Sequence, residues 1–199
     1  MRADRPNLAD PAEARRRRRA HLLWSVCAGL VAGLAAVGLW LSFAPTGRPG
    51  RPPASLVGQP APEFALARLA PAGGTLSLRS LRGRPVLLNF WASWCGPCKR
   101  SFPWMNDMQQ RYGGKGLSIV AVNVDKKRED ADKFLAQTPA QFTIVFDPAG
   151  ATPSSFAVKG MPSSYLIDGK GNVVAVEHGF HDDHKGPLED RIRTLLAAH

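Results

Sequence analysis

Apolar residues in this chain fall into short separate runs, and the spacing inside each run differs. Val86–Trp91 (VLLNFW) and Leu117–Val124 are continuous apolar runs, the pattern of strands buried on both faces. Between them, residues 96–112 place Phe102, Met105 and Met108 three apart, which predicts a helix with one apolar stripe, kinked at Pro103. A second helix is predicted over Glu129–Gln137, where Ala131, Phe134 and Leu135 share one side, and a strand over Phe142–Phe146. Tyr165–Ile167 and Val173–Val176 flank Asp168-Gly169-Lys170-Gly171-Asn172, a hairpin signal, and Leu188–Ala197 reads as a closing helix. Upstream, Gln59–Leu66 reads as an extended segment held open by Pro60 and Pro62. Pro71 and Gly73-Gly74 read as a turn, and Thr75–Leu78 as a strand. The order is β-α-β-α-β followed by β-β-α. It predicts an α/β domain: a central mixed sheet, parallel in its core and antiparallel at an edge, with helices on both faces.

The first part of the chain follows a different pattern. Residues 1–20 are mostly polar and include five consecutive arginines, Arg15–Arg19, whereas Leu22–Ala44 carries no charge. At about 1.5 Å per helical residue that run reaches about 35 Å, enough to cross a hydrocarbon core. Residues 21–44 therefore predict a transmembrane signal-anchor, with the basic residues 1–20 cytoplasmic and everything beyond Ala44 outside, in the periplasm or its equivalent. The alternative is a cleaved signal, which would leave a soluble periplasmic protein. Its apolar region is ordinarily only about 7–15 residues long, so length favours the anchor. Residues 45–56 predict a linker, since Pro45–Ser55 holds four prolines and two glycines in eleven residues. The globular domain is then residues 57–199.

Composition narrows the function. The net charge is +10, of which residues 1–44 contribute +4 (seven Arg against three acids) and the remainder +6 (19 basic against 13 acidic). No dense basic stripe with interleaved aromatics is visible, so nucleic acid is not an expected partner. There are three cysteines. Cys27 lies in the apolar N-terminal run, and Cys95 and Cys98 form one close pair. A scaffold stapled by disulfides would spread more cysteines through the chain. The pair is therefore free for chemistry.

Its setting favours redox work. Trp94-Cys95-Gly96-Pro97-Cys98-Lys99 follows a buried strand and opens a helix. A cysteine at a helix N-terminus sits beside unpaired N–H groups and the positive end of the helix dipole, which stabilise a thiolate. Two intervening residues let the sulfurs meet across one turn. Cys95, at the exposed mouth of the turn, attacks a substrate disulfide. Cys98, one turn deeper, resolves the mixed disulfide. The competing reading of a CxxC is half of a zinc site, but no second cysteine pair is present. His178, His181 and His184, three apart in a Gly- and Asp-containing loop, could be proposed as ligands, although loop histidines are usually solvated. No metal and no cofactor are expected.

Several motifs then carry a resemblance. NFWASWCGPCK at 89–99 resembles the active-site strand, turn and helix of thioredoxins, and Pro103 sits where these proteins place a helix-kinking proline. Met161-Pro162, followed by Ser163-Ser164-Tyr165-Leu166-Ile167, resembles the loop that holds a cis-proline beside the cysteines. Ala61-Pro62-Glu63-Phe64, Val120–Val124 and the segment 128–158 resemble the TlpA/ResA branch, thioredoxin-like proteins tethered outside the cytoplasmic membrane. The resemblance covers roughly residues 57–197. It implies a thioredoxin fold, a cis Pro162, and a substrate groove formed by Trp94, Gly96, Pro97, Met161 and Pro162. It implies core packing for Trp91. The sequence departs from the pattern at two positions. Asn89 stands where thioredoxins place a buried Asp, and Ser101 where the ResA branch often has Glu. Both are positions from which a carboxylate could take the proton of the resolving thiol.

The leading function is reduction of protein disulfides outside the cytoplasmic membrane. The substrates are protein disulfides or dithiols, and a membrane thiol reductase is the electron donor. Cytochrome c or copper-oxidase assembly is the pathway the resemblance implies. The alternatives are a disulfide oxidase or isomerase of the same fold, and a non-enzymatic copper-binding assembly factor using the soft thiolates. A peroxidase, suggested by the APEF-like start, ranks lower because a peroxidatic cysteine usually lacks a CxxC partner.

Overall fold

The computed structural model describes residues 56–198. The expected basic tail, anchor and linker up to Ser55 lie outside the described residues. In chain order the elements are β1 (Ala65–Ala70), β2 (Thr75–Ser77), β3 (Val86–Trp91), α1 (Gly96–Tyr112), β4 (Ser118–Asn123), α2 (Arg128–Gln137), β5 (Thr143–Phe146), α3 (Ala151–Ser155), β6 (Ser163–Ile167), β7 (Val173–His178) and α4 (Asp182–Ala197). Seven strands form one sheet in the order β2-β1-β5-β4-β3-β6-β7. β3 pairs in parallel with β4 and β4 with β5, while the other neighbours are antiparallel.

All six residues of β3 are buried, because both faces of the sheet are covered there. Leu87 and Trp91 face α1, α2 and α4, where Phe102, Met105, Met108, Phe134, Leu188 and Ile192 meet them. Val86, Leu88 and Phe90 face the other way, against Leu56, Phe64, Leu78, Phe156 and Tyr165. The expected covering of both faces by helices is thus uneven. Three long helices share one face. The segment before β1, the short 3-10 turn at Leu78–Leu81 and the end of α3 cover the other. Tyr165 anchors that second layer by donating its hydroxyl to the Phe156 carbonyl at 2.7 Å. Tyr112, at the end of α1, donates to Glu189 of α4 at 2.6 Å, and Arg111 joins the same carboxylate. The Tyr112 bond, ahead of Arg111, holds the Glu189 carboxyl below the usual carboxylate range.

Several elements differ from expectation. The first strand is Ala65–Ala70 rather than Gln59–Leu66. Ahead of it, the chain pairs irregularly with the start of β7: Gly58 N–H donates to Val173 O, Val173 N–H to Gln59 O, and Ala61 N–H to Gly171 O, all within 2.9 Å. α3 was not expected. α4 begins at Asp182, well before Leu188, and runs through Gly186-Pro187. Pro187 falls near the exposed N-terminal end, where the carbonyl it leaves unbonded can be hydrated, and Asp182 and Asp183 in the first turn suit the helix dipole. α1 likewise continues through Pro103. Leu78, expected at the end of a strand, opens the 3-10 turn, with Ser77 Oγ accepting Ser80 N–H.

Candidate active site

β3 ends at Trp91 and α1 starts at Gly96, so the residues between are a tight link at the carboxyl end of an interior strand, beside the central β4. Cys95 is the N-cap of α1, with extended φ/ψ of −89°/99°. Its Sγ accepts the Cys98 N–H at 3.2 Å, so a sulfur fills the place usually taken by a capping oxygen. Cys95 and Cys98 are joined as a disulfide, with Cα atoms 5.3 Å apart. Gly96 and Pro97 occupy the first two helical positions, where Pro97 lacks an N–H that would have no intrahelical partner.

Cys98 is fully buried, as expected, but Cys95 is only 5 % exposed, and the expected exposed mouth is not at its side chain. Bonded to Cys98 and accepting its N–H, the Cys95 side chain folds back over the helix start. The exposed parts of the turn are Trp94, at 73 %, and Gly96. Trp91 is buried in the core as anticipated and touches Phe102 edge-on at 5.0 Å. The Met161–Pro162 bond is cis, as the resemblance implied, and Ala70–Pro71 is a second cis bond that was not expected. Pro162 is buried, with its carbonyl accepting Gly179 N–H at 2.8 Å, and Met161 packs against the core cluster that holds both cysteines.

Asp125, which the sequence reading did not single out, braces this turn. It is buried just beyond β4, where its carboxylate accepts Ser93 N–H at 3.0 Å, Ser93 Oγ–H at 3.1 Å and Asn123 Nδ2–H at 2.8 Å. The bond crosses from the loop after β4 to the residue just ahead of Trp94-Cys95, so one side chain fixes where the helix begins. Removing the carboxylate strands a backbone N–H and an amide in a buried site. Asp125→Ala is expected to lose about 2–3 kcal/mol of stability. It should also slow disulfide exchange, while Asp125→Asn, which keeps an acceptor, loses less. Urea unfolding together with insulin-reduction rates reads both effects.

At the two positions that depart from the thioredoxin pattern, Asn89 donates Nδ2–H to Ser164 Oγ at 2.9 Å and Ser101 donates its hydroxyl to Cys98 O at 2.8 Å. The Asn89 Oδ1 atom is buried without a partner. Neither side chain can ionise. The three histidines do not come together as ligands. His178 Nδ1 lies 3.3 Å from Ser163 Oγ, His184 Nδ1 lies 3.1 Å from Glu177, and among the described residues no group of three or more metal-ligating side chains converges.

A sheet with this order, a CxxC pair capping the helix after β3 and a cis-proline just ahead of the neighbouring β6 is one arrangement of fold and site. The Redoxin family model matches residues 56–192. The chain belongs to the Redoxin family. Within that family it is 37 % identical over 123 residues to the thiol-disulfide oxidoreductase ResA of Geobacillus thermodenitrificans, covering 62 % of this chain and 70 % of that protein. It is 31 % identical over 139 residues to ResA of Bacillus thuringiensis, covering 70 % and 78 % respectively. Among solved structures it is similar to a Chlorobium tepidum protein assigned as a thiol:disulfide interchange protein DsbE, with TM-score 0.66, 52 % identity and coverage of 69 % of this chain and 95 % of that one. The TlpA/ResA-like resemblance is therefore borne out. This Redoxin-family protein is a thiol-disulfide oxidoreductase with a thioredoxin fold, acting on protein disulfides.

Proposed function

We propose that the enzyme works as a reductase of protein disulfides outside the cytoplasmic membrane. In this reading residues 21–44 tether it, a membrane thiol reductase supplies its electrons, and cytochrome c or copper-oxidase assembly is its pathway. The extended client lies in the groove lined by Trp94, Gly96, Pro97, Met161 and Pro162. Cys95 attacks its disulfide and Cys98 completes the exchange. The single observation that supports the reducing direction is the absence of any charged or donating side chain between the two cysteines to stabilise the Cys95 thiolate beyond the helix start. Its Sγ has one hydrogen bond among the described residues, from Cys98 N–H, and the two residues between the cysteines, Gly96 and Pro97, offer neither a charge nor a side-chain donor. A strongly stabilised thiolate makes a pair oxidising, and a weakly stabilised one leaves it reducing. The uncharged run Leu22–Ala44 behind Arg15–Arg19 supports the membrane-tethered, outward-facing placement.

The test is the reduction potential of the Cys95–Cys98 pair, equilibrated against dithiothreitol and glutathione buffers. The expected value lies near about −270 mV, the range of reducing thioredoxins. A value near about −120 mV would make the enzyme a disulfide donor instead.

A further inference from the structure

Beside the active site a cavity of about 20 Å3 opens between β3, β6, β7, α1 and α4. That is room for a water molecule. Its floor is a polar ladder on an otherwise apolar sheet face. Asn89 of β3 stands opposite Ser164 of β6, which stands opposite Glu177 of β7. Residues directly opposite in a sheet share a face, so the three side chains form a row, flanked by Leu87, Trp91, Leu166 and Ala175 of the core. Asn89 and Ser164 are already bonded, and Glu177 meets His184 of α4 at 3.1 Å at the open end of the cavity. At the inner end, Ser101 is tied to the Cys98 carbonyl, and Asn89 lines the cavity with its Oδ1 buried and without a protein partner. A buried polar group in that state needs a donor, and a water also bonded within the row supplies one.

We propose that Glu177, paired with His184, takes up and returns the proton of Cys98 through this cavity, using Ser164 and a water oriented by Asn89 Oδ1. The carboxylate that Asn89 and Ser101 cannot supply is thus provided from β7, two strands away. In the resolving step the Cys98 thiol gives its proton to the Glu177 carboxylate. The Cys98 sulfur then attacks Cys95 Sγ, the Cys95–Cys98 bond forms, the Cys95–client bond breaks, and the client leaves as a thiolate carrying the electron pair. The reverse direction returns the proton by the same route, so the inference rests on the dithiol-disulfide chemistry of the site and not on the direction of electron flow proposed above. The other titratable groups facing Glu177 are His181 and Lys185, with Asp183 beside His184 and Asp182 beside Lys185 on the solvent side. Arg100 of α1 acts on Asp182, while α1 presents only Ser101, Trp104 and Met105 to the cavity.

The test uses the reduced full-length chain carrying Cys27→Ser, so that Cys95 and Cys98 are its two thiols, mixed with excess dithiobis(nitrobenzoate) in a stopped-flow instrument from pH 5 to pH 10. Attack by Cys95 releases one thionitrobenzoate, and resolution by Cys98 releases a second, so the first phase is an internal control. In Glu177→Gln the first phase is expected to be unchanged. The second should slow by about a hundredfold near neutrality and rejoin the parent at high pH, where hydroxide deprotonates the thiol unaided. Ser164→Ala should show the same pH-dependent loss, and Asn89→Asp added to Glu177→Gln should restore the neutral rate by putting a carboxylate at the inner end. Superimposable second phases would overturn the proposal, and so would a slowing by one factor at every pH or a loss of both phases together.

Discussion

Cys95→Ser is expected to leave no measurable insulin reduction, and Cys98→Ser to leave the protein covalently attached to its substrate. The two cysteines are three residues apart, yet their surroundings are not alike. Cys95 caps the helix and its sulfur already accepts a backbone N–H, the interaction that stabilises a thiolate once the disulfide opens. Cys98 lies inside the first turn, fully buried, and its backbone is the donor of that bond. Attack therefore belongs to Cys95 and release to Cys98. A serine at 95 removes the sulfur that, among the described residues, is placed to begin the exchange. A serine at 98 lets the exchange begin and stop halfway, since a hydroxyl is a poor nucleophile toward sulfur. Non-reducing gels and intact-mass measurement should show a dithiothreitol-sensitive adduct in Cys98→Ser and none in Cys95→Ser. Sustained turnover by Cys98→Ser would mean that some other thiol resolves the intermediate.

Phe102→Ala is expected to be the most damaging core substitution beside the site. Phe102 is completely buried and lies one helical turn beyond Cys98. Its ring meets Trp91 at 5.0 Å, Phe134 at 5.1 Å and Phe142 at 5.3 Å, so it joins α1, α2 and the central sheet. Truncation removes the transfer energy of the ring and leaves a cavity that three large rings cannot easily close. The expected loss is about 3–5 kcal/mol. Against a total stability of about 5–15 kcal/mol this is a large share, and Tm should fall by roughly 10 °C or more. Because Phe102 itself carries no group that takes part in thiol exchange, the variant should reduce insulin at close to the parent rate at low temperature and fail on warming. Thermal unfolding and rate measurements at two temperatures check both halves.

The site was easier to read than the frame around it. Val86–Trp91 and residues 96–112 are legible because a continuous apolar run and a Cys-Gly-Pro-Cys helix start are local signals, and both elements match their expected bounds. β1 was displaced because Ala65, Ala67 and Ala70 give little alternation, and its pairing with β5 is a long-range choice. α3, five residues with Pro153 inside, has no stripe to detect. α4 begins ahead of the expected Leu188 because propensity across Gly186-Pro187 says nothing of a helix held from outside by Leu188, Ile192 and the Glu189 contacts. Asp125 and Glu177 escaped for another reason. The first acts through a bond to Ser93, 32 residues earlier in the chain, and the second gains meaning only once the register of β6 against β7 places it beside Ser164.

The pairing of residues 58–61 with the start of β7 also fixes where the described chain begins relative to the disulfide. Val173 lies opposite Ile167, which lies opposite Val86, so this docking point marks the pole of the sheet where β3 begins. The disulfide stands at the other pole, about 20 Å away along the six residues of β3. The polypeptide thus enters at the back of the domain and the chemistry emerges at the front. Trp94, exposed beside the disulfide, therefore stands at the pole opposite the segment 58–61, and a client can reach it without crossing that segment.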